Sequence, residues 1–303
     1  MPKFLIIGDL HGQKPSIHFR DFDAIIAVGD FCSDKEIKKI DNPINYQKFL
    51  NDPYSYKPWH ESVKKSEAKR IVLDSIRPGR RILEFLNSFG VPVFIVPGNW
   101  DFGAVSRYDT GFLGQNFFKT HLISGLENVV DIHKKIRNFG GYTIIGYGNS
   151  SGPELFKHRG YDKIFRKKDV LKNKKEYSIL VGAWDALFRK AKARKKPVIF
   201  LSHNVPYNTP LDTIRNKQSI RRGWHYGSLV TREMIDRYQP LVCIGGHMHE
   251  YFQKCSVGKT TAINAGFGGH VNTLLEISGD KIKKIEFYRA RKEQGLNMMR
   301  GEH

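Results

Sequence analysis

Cysteine is scarce in this chain. Cys32, Cys243 and Cys255 are the only three, and no two of them form a CxxC spacing. An odd, scattered count argues against a disulfide framework and for a reducing compartment, with packing as the ordinary role of such thiols. Long apolar runs are missing as well, so no segment is expected to span a bilayer. The first apolar run, Phe4-Leu5-Ile6-Ile7, is too short for a signal sequence and leads straight into Gly8-Asp9. Removing it as a leader would remove that motif too, and the expected location is cytoplasmic. Acidic residues are short: 30 Asp and Glu stand against 50 Lys and Arg, giving a net charge of +20. That deficit favours polyanionic partners, nucleotide or nucleic acid among them. A solvated lysine-rich surface accounts for it equally well. Residues 157–196 concentrate the excess, with fifteen Lys and Arg against four Asp and Glu. There is no internal repeat, no low-complexity linker, and no helicase-like, ATPase or coiled-coil extension that would name a partner machine.

What is present is a chain of 303 residues with 40% hydrophobic content, enough for a substantial core. Short apolar runs recur in a βα-like rhythm. Phe4–Ile7, Ala24–Val28 and Val93–Val96 are wholly apolar and end in glycine-containing turns, as buried strands covered on both faces should. Tyr142–Ile145, Val198–Leu201 and Leu241–Ile244 repeat the pattern. Thr260–Ile263, Thr273–Ile277 and Lys283–Tyr288 read as a closing antiparallel set. The apolar spacing over Ile71–Phe89, interrupted by Pro78-Gly79, predicts one broken helix or two short ones. Further helices are predicted over Tyr177–Arg194 and Leu229–Tyr238. The expected organisation is a single α/β domain over 1–289, with insertions near 31–70 and 204–228 and a mobile tail over 290–303.

Five short motifs follow these strands: Gly8-Asp9-Leu10-His11-Gly12, Gly29-Asp30, Gly98-Asn99-Trp100-Asp101, Ser202-His203-Asn204 and Gly246-His247-Met248-His249. Together they supply Asp9, His11, Asp30, Asn99, His203, His247 and His249, a mixed imidazole, carboxylate and amide set. One mononuclear site uses three or four protein ligands, so seven suggest two metals. In an extended segment, residues i and i+2 share a side, which lets Asp9 and His11 reach one ion. The same spacing lets His247 and His249 address neighbouring ions. A carboxylate can bridge two cations, and Asp30 is the natural candidate.

In order and residue type, these motifs resemble the calcineurin-like metallophosphoesterase superfamily, over a span from Gly8 to His249. The resemblance implies a sandwich of two mixed β-sheets flanked by helices, the αββα arrangement, with the ions on loops at strand ends. It implies that Asp9, His11 and His249 hold one metal, that Asn99, His203 and His247 hold the other, and that Asp30 bridges. It further implies a binuclear hydrolase of phosphomonoesters or phosphodiesters, in which a hydroxide shared by the cations attacks phosphorus. Asp30, Asn99 and His203 carry the catalytic roles, the latter two beside the charge that grows on the phosphoryl oxygens. Manganese is the favoured cofactor, and iron, zinc, cobalt or nickel also suit mixed nitrogen and oxygen ligands.

One departure stands out. Many family members carry a histidine where this chain has Trp100, and that histidine is thought to protonate the leaving group. Indole N–H is too weak an acid to donate a useful proton, so the proton comes from elsewhere or is less needed. His225, on the loop after His203, is a candidate replacement or an ordinary loop histidine. Asp101 is expected to hydrogen-bond its turn or to orient the ligands. Trp100, Trp224 and Tyr226 are candidates for packing or for substrate stacking. Two other functions stay open: a metal-dependent nuclease, suggested by the basic balance, and a non-catalytic scaffold of the same fold, which the intact ligand set opposes.

Overall fold

A computed structural model of the chain describes residues 1–40, 58–103, 111–155, 166–219 and 221–290. Within these, the strands run β1 (Lys3–Ile7), β2 (Ala24–Ala27), β3 (Val93–Ile95), β4 (Val129–Asp131), β5 (Ile136–Phe139), β6 (Tyr142–Tyr147), β7 (Val198–Asn204), β8 (Val242–Gly246), β9 (Gln253–Val257), β10 (Thr260–Asn264), β11 (Val271–Ser278) and β12 (Lys281–Arg289). The helices are α1 (Lys35–Ile40), α2 (Lys65–Asn87), α3 (Lys167–Lys192) and α4 (Leu229–Tyr238). The strands form two mixed six-stranded sheets, ordered β12-β11-β1-β2-β3-β4 and β5-β6-β7-β8-β10-β9. In the first, β1 to β4 are parallel and the β11–β12 hairpin closes the edge antiparallel. In the second, β6, β7, β8 and β10 are parallel, with β5 and β9 antiparallel at the two edges.

Alternation along each strand divides the core into three layers. Phe4, Ile6, Ala24 and Ile26 of the first sheet meet Ile144, Ile199, Leu201, Val242, Ile244 and Ile263 of the second between the sheets. Leu5, Ile7, Ile25 and Ala27 point the other way, onto α2, and Val198, Phe200 and Cys243 point onto α3 and α4. Both faces of both sheets are therefore covered, which is why the strand sequences are nearly unbroken apolar runs.

Helix α2 buries Ala68, Ile71, Val72, Ser75, Ile76, Gly79, Ile82, Leu83 and Leu86, a 3.6-residue stripe that runs through Pro78. The expected break does not occur; the helix is continuous. Its Pro78-Gly79 step lies against the loop after β2. Ser33 N donates to Ser75 O at 3.0 Å, the Ser75 hydroxyl donates to Ser33 O, and a Cβ on Gly79 would meet Cys32 N and Phe31 C at 3.0 Å. The closing antiparallel set is also revised. Strand β10 belongs to the second sheet and pairs parallel with β8, whereas β11 and β12 belong to the first. Helix α4 falls on the expected residues: the Ser228 side chain accepts from Thr231 N at its start, and Gln239 takes φ 44° at its end. Of the expected insertion at 31–70, α1 and a short 3₁₀ turn at Trp59–Ser62 are described, and 41–57 lie outside the described residues. So do part of the basic segment, 156–165, and the tail from 291.

Candidate metal centre

All five motifs lie at the C-terminal ends of parallel strands, three on the first sheet (β1, β2, β3) and two on the second (β7, β8). Hydrogen bonds cross between the sheets there. His203 Nδ1 donates to Val28 O at 2.8 Å, and His247 N donates to Asp9 Oδ2 at 2.7 Å. The turns are unusual. His11, Asp30 and His247 take φ of 43°, 54° and 64°, left-handed conformations that non-glycine residues rarely hold. The extended-segment argument for Asp9 and His11 is therefore incomplete: a left-handed turn at His11, rather than simple alternation, swings its ring inward.

The seven side chains come together in two groups. Ligand atoms of Asp9, His11 and His249 lie within 4.8 Å of one another, as do those of Asp30, His203 and His247. Asp30 Oδ2 lies 3.3 Å from His11 Nε2 and 3.5 Å from His203 Nε2, so one carboxylate oxygen faces both groups. Asn99 Oδ1 sits 2.9 Å from His203 Nε2. His249 Nε2 sits 3.1 Å from Asp9 Oδ2, and its ring stacks on Phe267 at 4.3 Å. Five of the seven are buried, and the two histidines after β8 are half-buried.

The donor chemistry suits divalent cations. Because Nδ1 of His203 is spent on a carbonyl, Nε2 is the ring nitrogen that faces Asp30 and Asn99. Asp9 Oδ1 is a buried polar atom with no hydrogen-bond partner, and the ring nitrogens of His11 face the carboxylates of Asp30 and Asp34. The backbone is cut away to admit the carboxylates. A Cβ on Gly246 would stand 2.3 Å from Asp9 Oδ1, and one on Gly98 would stand 2.1 Å from Asp30 Oδ1. In the protein without metal, burial disfavours the His11 cation, but Asp30 and Asp34 hold its pKa up at about 10. Burial likewise acts against the charged forms of Asp30 and His203, yet their mutual attraction holds Asp30 low and His203 raised. Burial and the neighbouring His203 push His247 down to about 3.

Asp101 does both things expected of it. Oδ1 accepts from Phe31 N and Cys32 N at 2.8 and 3.1 Å, and Oδ2 accepts from Asp30 N and Gly98 N at 2.8 Å each. It thus locks the loops after β2 and β3 together and aims Asp30, whose Oδ1 also accepts from Trp100 N at 2.8 Å.

Sequence reasoning missed Asp34. Its Oδ2 lies 3.1 Å from His11 Nδ1 and 2.7 Å from Lys38 Nζ, a carboxylate behind an imidazole. The signal was an acidic residue one turn past Asp30, hidden in a stretch read as an insertion. Trp100 is buried against His11, with ring centroids 6.2 Å apart, and Lys38 Nζ lies 5.9 Å over its ring. His225 is tied elsewhere: Nδ1 is 2.7 Å from Asp212 Oδ1, and Tyr226, next in the chain, is the residue that faces the cluster's cleft.

Comparison with known proteins agrees with this geometry. The sequence model described as calcineurin-like phosphoesterase matches residues 2–251. The chain belongs to that family. Its fold is shared with a solved crystal structure that aligns over 95% of this chain and 99% of its own, at TM-score 0.55 and 17% identity. Weaker likenesses are to TT1561 of Thermus thermophilus (TM-score 0.46, 14% identity, covering 96% and 99%) and to the phosphopantetheinyl hydrolase PptH of Mycobacterium tuberculosis (0.45, 13%, covering 88% and 89%). No curated protein matches the chain. Family membership and the two donor groups support a hydrolase of phosphate esters that uses divalent metal ions. No helix among the described residues is long and apolar enough to cross a membrane.

Proposed function

We propose that this chain is a cytoplasmic, binuclear metal-dependent phosphoesterase that hydrolyses phosphomonoesters or phosphodiesters, with manganese as the favoured metal. The supporting observation is Asp30 Oδ2, 3.3 Å from His11 and 3.5 Å from His203, between two groups of donors. In this reading Asp9, His11 and His249 form one ligand set, Asn99, His203 and His247 form the other, and Asp30 belongs to both. Divalent cations held there would supply Lewis-acid activation of water and neutralise charge on the phosphoryl group. The chain's own contribution is positioning. Asp34 fixes the ring of His11, the Val28 carbonyl fixes that of His203, and the Trp100 amide orients Asp30. Asp9, His11, Asp30, Asn99 and His203 are buried beneath these loops, and the set opens to solvent only partly, at His247 and His249.

Trp100 has no acid to offer, so esters with good leaving groups are the expected substrates in vitro. His225, held by Asp212, is assigned to the loop rather than to proton transfer. Asp30→Ala and His203→Ala should purify folded and lose hydrolysis of bis-p-nitrophenyl phosphate by about 100-fold or more. Unchanged turnover in either variant refutes the assignment. A nuclease is the second reading, supported by the net charge of +20. It requires salt-sensitive binding of single-stranded DNA or RNA together with manganese-dependent cleavage.

A further inference from the structure

A cleft of about 390 Å³ opens directly on His247 and His249, one histidine from each donor group. Its apolar lining is Ile214, Tyr226, Met248 and Phe267, and its polar lining is Asn216, Ser219 and Glu250. Most of the outer side comes from the loop after β7, the stretch that sequence analysis read as an insertion. We propose that this cleft binds the organic group of the phosphate ester and that this group is a nucleoside. The inference rests on the phosphoesterase reading, because the phosphate must lie over the two histidines for its ester group to enter the cleft.

Three observations select that chemistry. First, the described lining residues include no lysine or arginine, and Glu250 contributes the opposite charge, so a second phosphate is disfavoured inside and a neutral group is favoured. Second, the aromatic surfaces are fixed in place. The Arg221 guanidinium lies 4.8 Å over the Tyr226 ring and bonds its hydroxyl, while Phe267 stacks on His249 at 4.3 Å. Rings held this rigidly lose little side-chain freedom when a planar heterocycle packs against them. Third, the polar groups can read one. Asn216 Oδ1 accepts from Gln218 N at 3.0 Å and Ser219 Oγ accepts from Arg221 N at 3.2 Å, which leaves the Asn216 amide NH₂ and the Ser219 O–H as donors. Glu250 adds a carboxylate acceptor suited to sugar hydroxyls. Cleft volume is in the range of small-molecule sites.

The test is calorimetric titration of the manganese-loaded full chain with AMP, ribose 5-phosphate and inorganic phosphate. AMP is expected to bind about tenfold tighter than ribose 5-phosphate, about what one stacked base contributes. Tyr226→Leu should erase that advantage and leave inorganic phosphate binding unchanged. Because Tyr226 also packs beneath Gly152, Asn216→Ala provides a second probe on the cleft lining, with an expected loss of several-fold in AMP affinity alone. Equal affinity for AMP and ribose 5-phosphate, or variants that weaken all three probes alike, overturns the proposal. Hydrolysis of bis-p-nitrophenyl phosphate by the same preparation reports on the catalytic reading separately. Its absence alongside intact AMP discrimination would count against the function and not against the cleft.

Discussion

Asp101 holds the site's loops together from behind the two donor groups. Its two oxygens take four backbone N–H groups from the loops after β2 and β3. Asp101→Asn keeps the shape but turns an NH₂ toward two of those donors, leaving them unpaired in a buried place. The expected loss is about 3 kcal/mol in urea unfolding, with weaker metal binding besides. Asp34→Asn is expected to behave differently: unfolding stays close to wild type, while calorimetry shows metal affinity lower by about 10–100-fold. Should Asp34→Asn bind manganese as tightly as the wild type, the carboxylate behind His11 has no positioning role. Gly246→Ala drives a Cβ to 2.3 Å from Asp9 Oδ1 and 2.8 Å from Val28 Cγ2, so it should cost metal stoichiometry in the first donor group. These three residues also mark how far sequence reading reached. Asp9, Asp30 and the histidines were legible because polar residues directly after apolar runs stand out. Asp34 was not, since a lone acid in a polar stretch has no pattern to betray it, and the left-handed turns at His11 and His247 leave no trace in residue type.

At the scale of elements, α2 shows why local signals misled. Pro78-Gly79 reads as a helix break, and proline does remove a helical hydrogen bond. Packing of the stripe from Ala68 to Leu86 against the first sheet outweighs that loss. Gly79 is there for contact. In an exposed helix Gly→Ala gains about 1 kcal/mol, but Gly79→Ala should lower the unfolding midpoint, because its Cβ meets backbone atoms of Phe31 and Cys32 at about 3.0 Å. A gain in stability would show that the loop after β2 yields freely. The edges were hidden for a different reason. Strands β4, β5 and β9 are short and partly exposed, with no apolar run to announce them. One loop junction is expected to respond to pH. His133 Nδ1 accepts from Gly148 N at 2.8 Å, and burial with Lys134 and other lysines nearby lowers its pKa to about 4. The fold therefore favours the neutral ring, and the unfolded chain takes up the proton first. Stability should fall as pH drops from about 6.5 toward 4. His133→Asn, which keeps an acceptor, should flatten that part of the pH–stability curve; an unchanged slope would assign it to other groups.

Across the whole molecule, the donors come from both sheets, so metal bound among them would tie the two halves of the sandwich together. Manganese should raise the melting temperature in a concentration-dependent way and chelators should reverse it, as expected for a ligand that binds only the folded state. The apolar runs made strands covered on both faces legible in advance, and the two-sheet sandwich came from the family resemblance that the order of motifs carries. The assignment of β10 to one sheet and β11–β12 to the other was not, because similar β-rich sequences suit either sheet. The charge of +20 acts at this scale too, and any binding of polyanions should weaken steeply with salt. The most direct measurement is anomalous scattering from crystals grown with manganese. Two peaks are predicted, one within reach of Asp9, His11 and His249 and the other within reach of Asn99, His203 and His247, with Asp30 touching both. A single peak, or peaks away from Asp30, would contradict a paired-metal phosphoesterase.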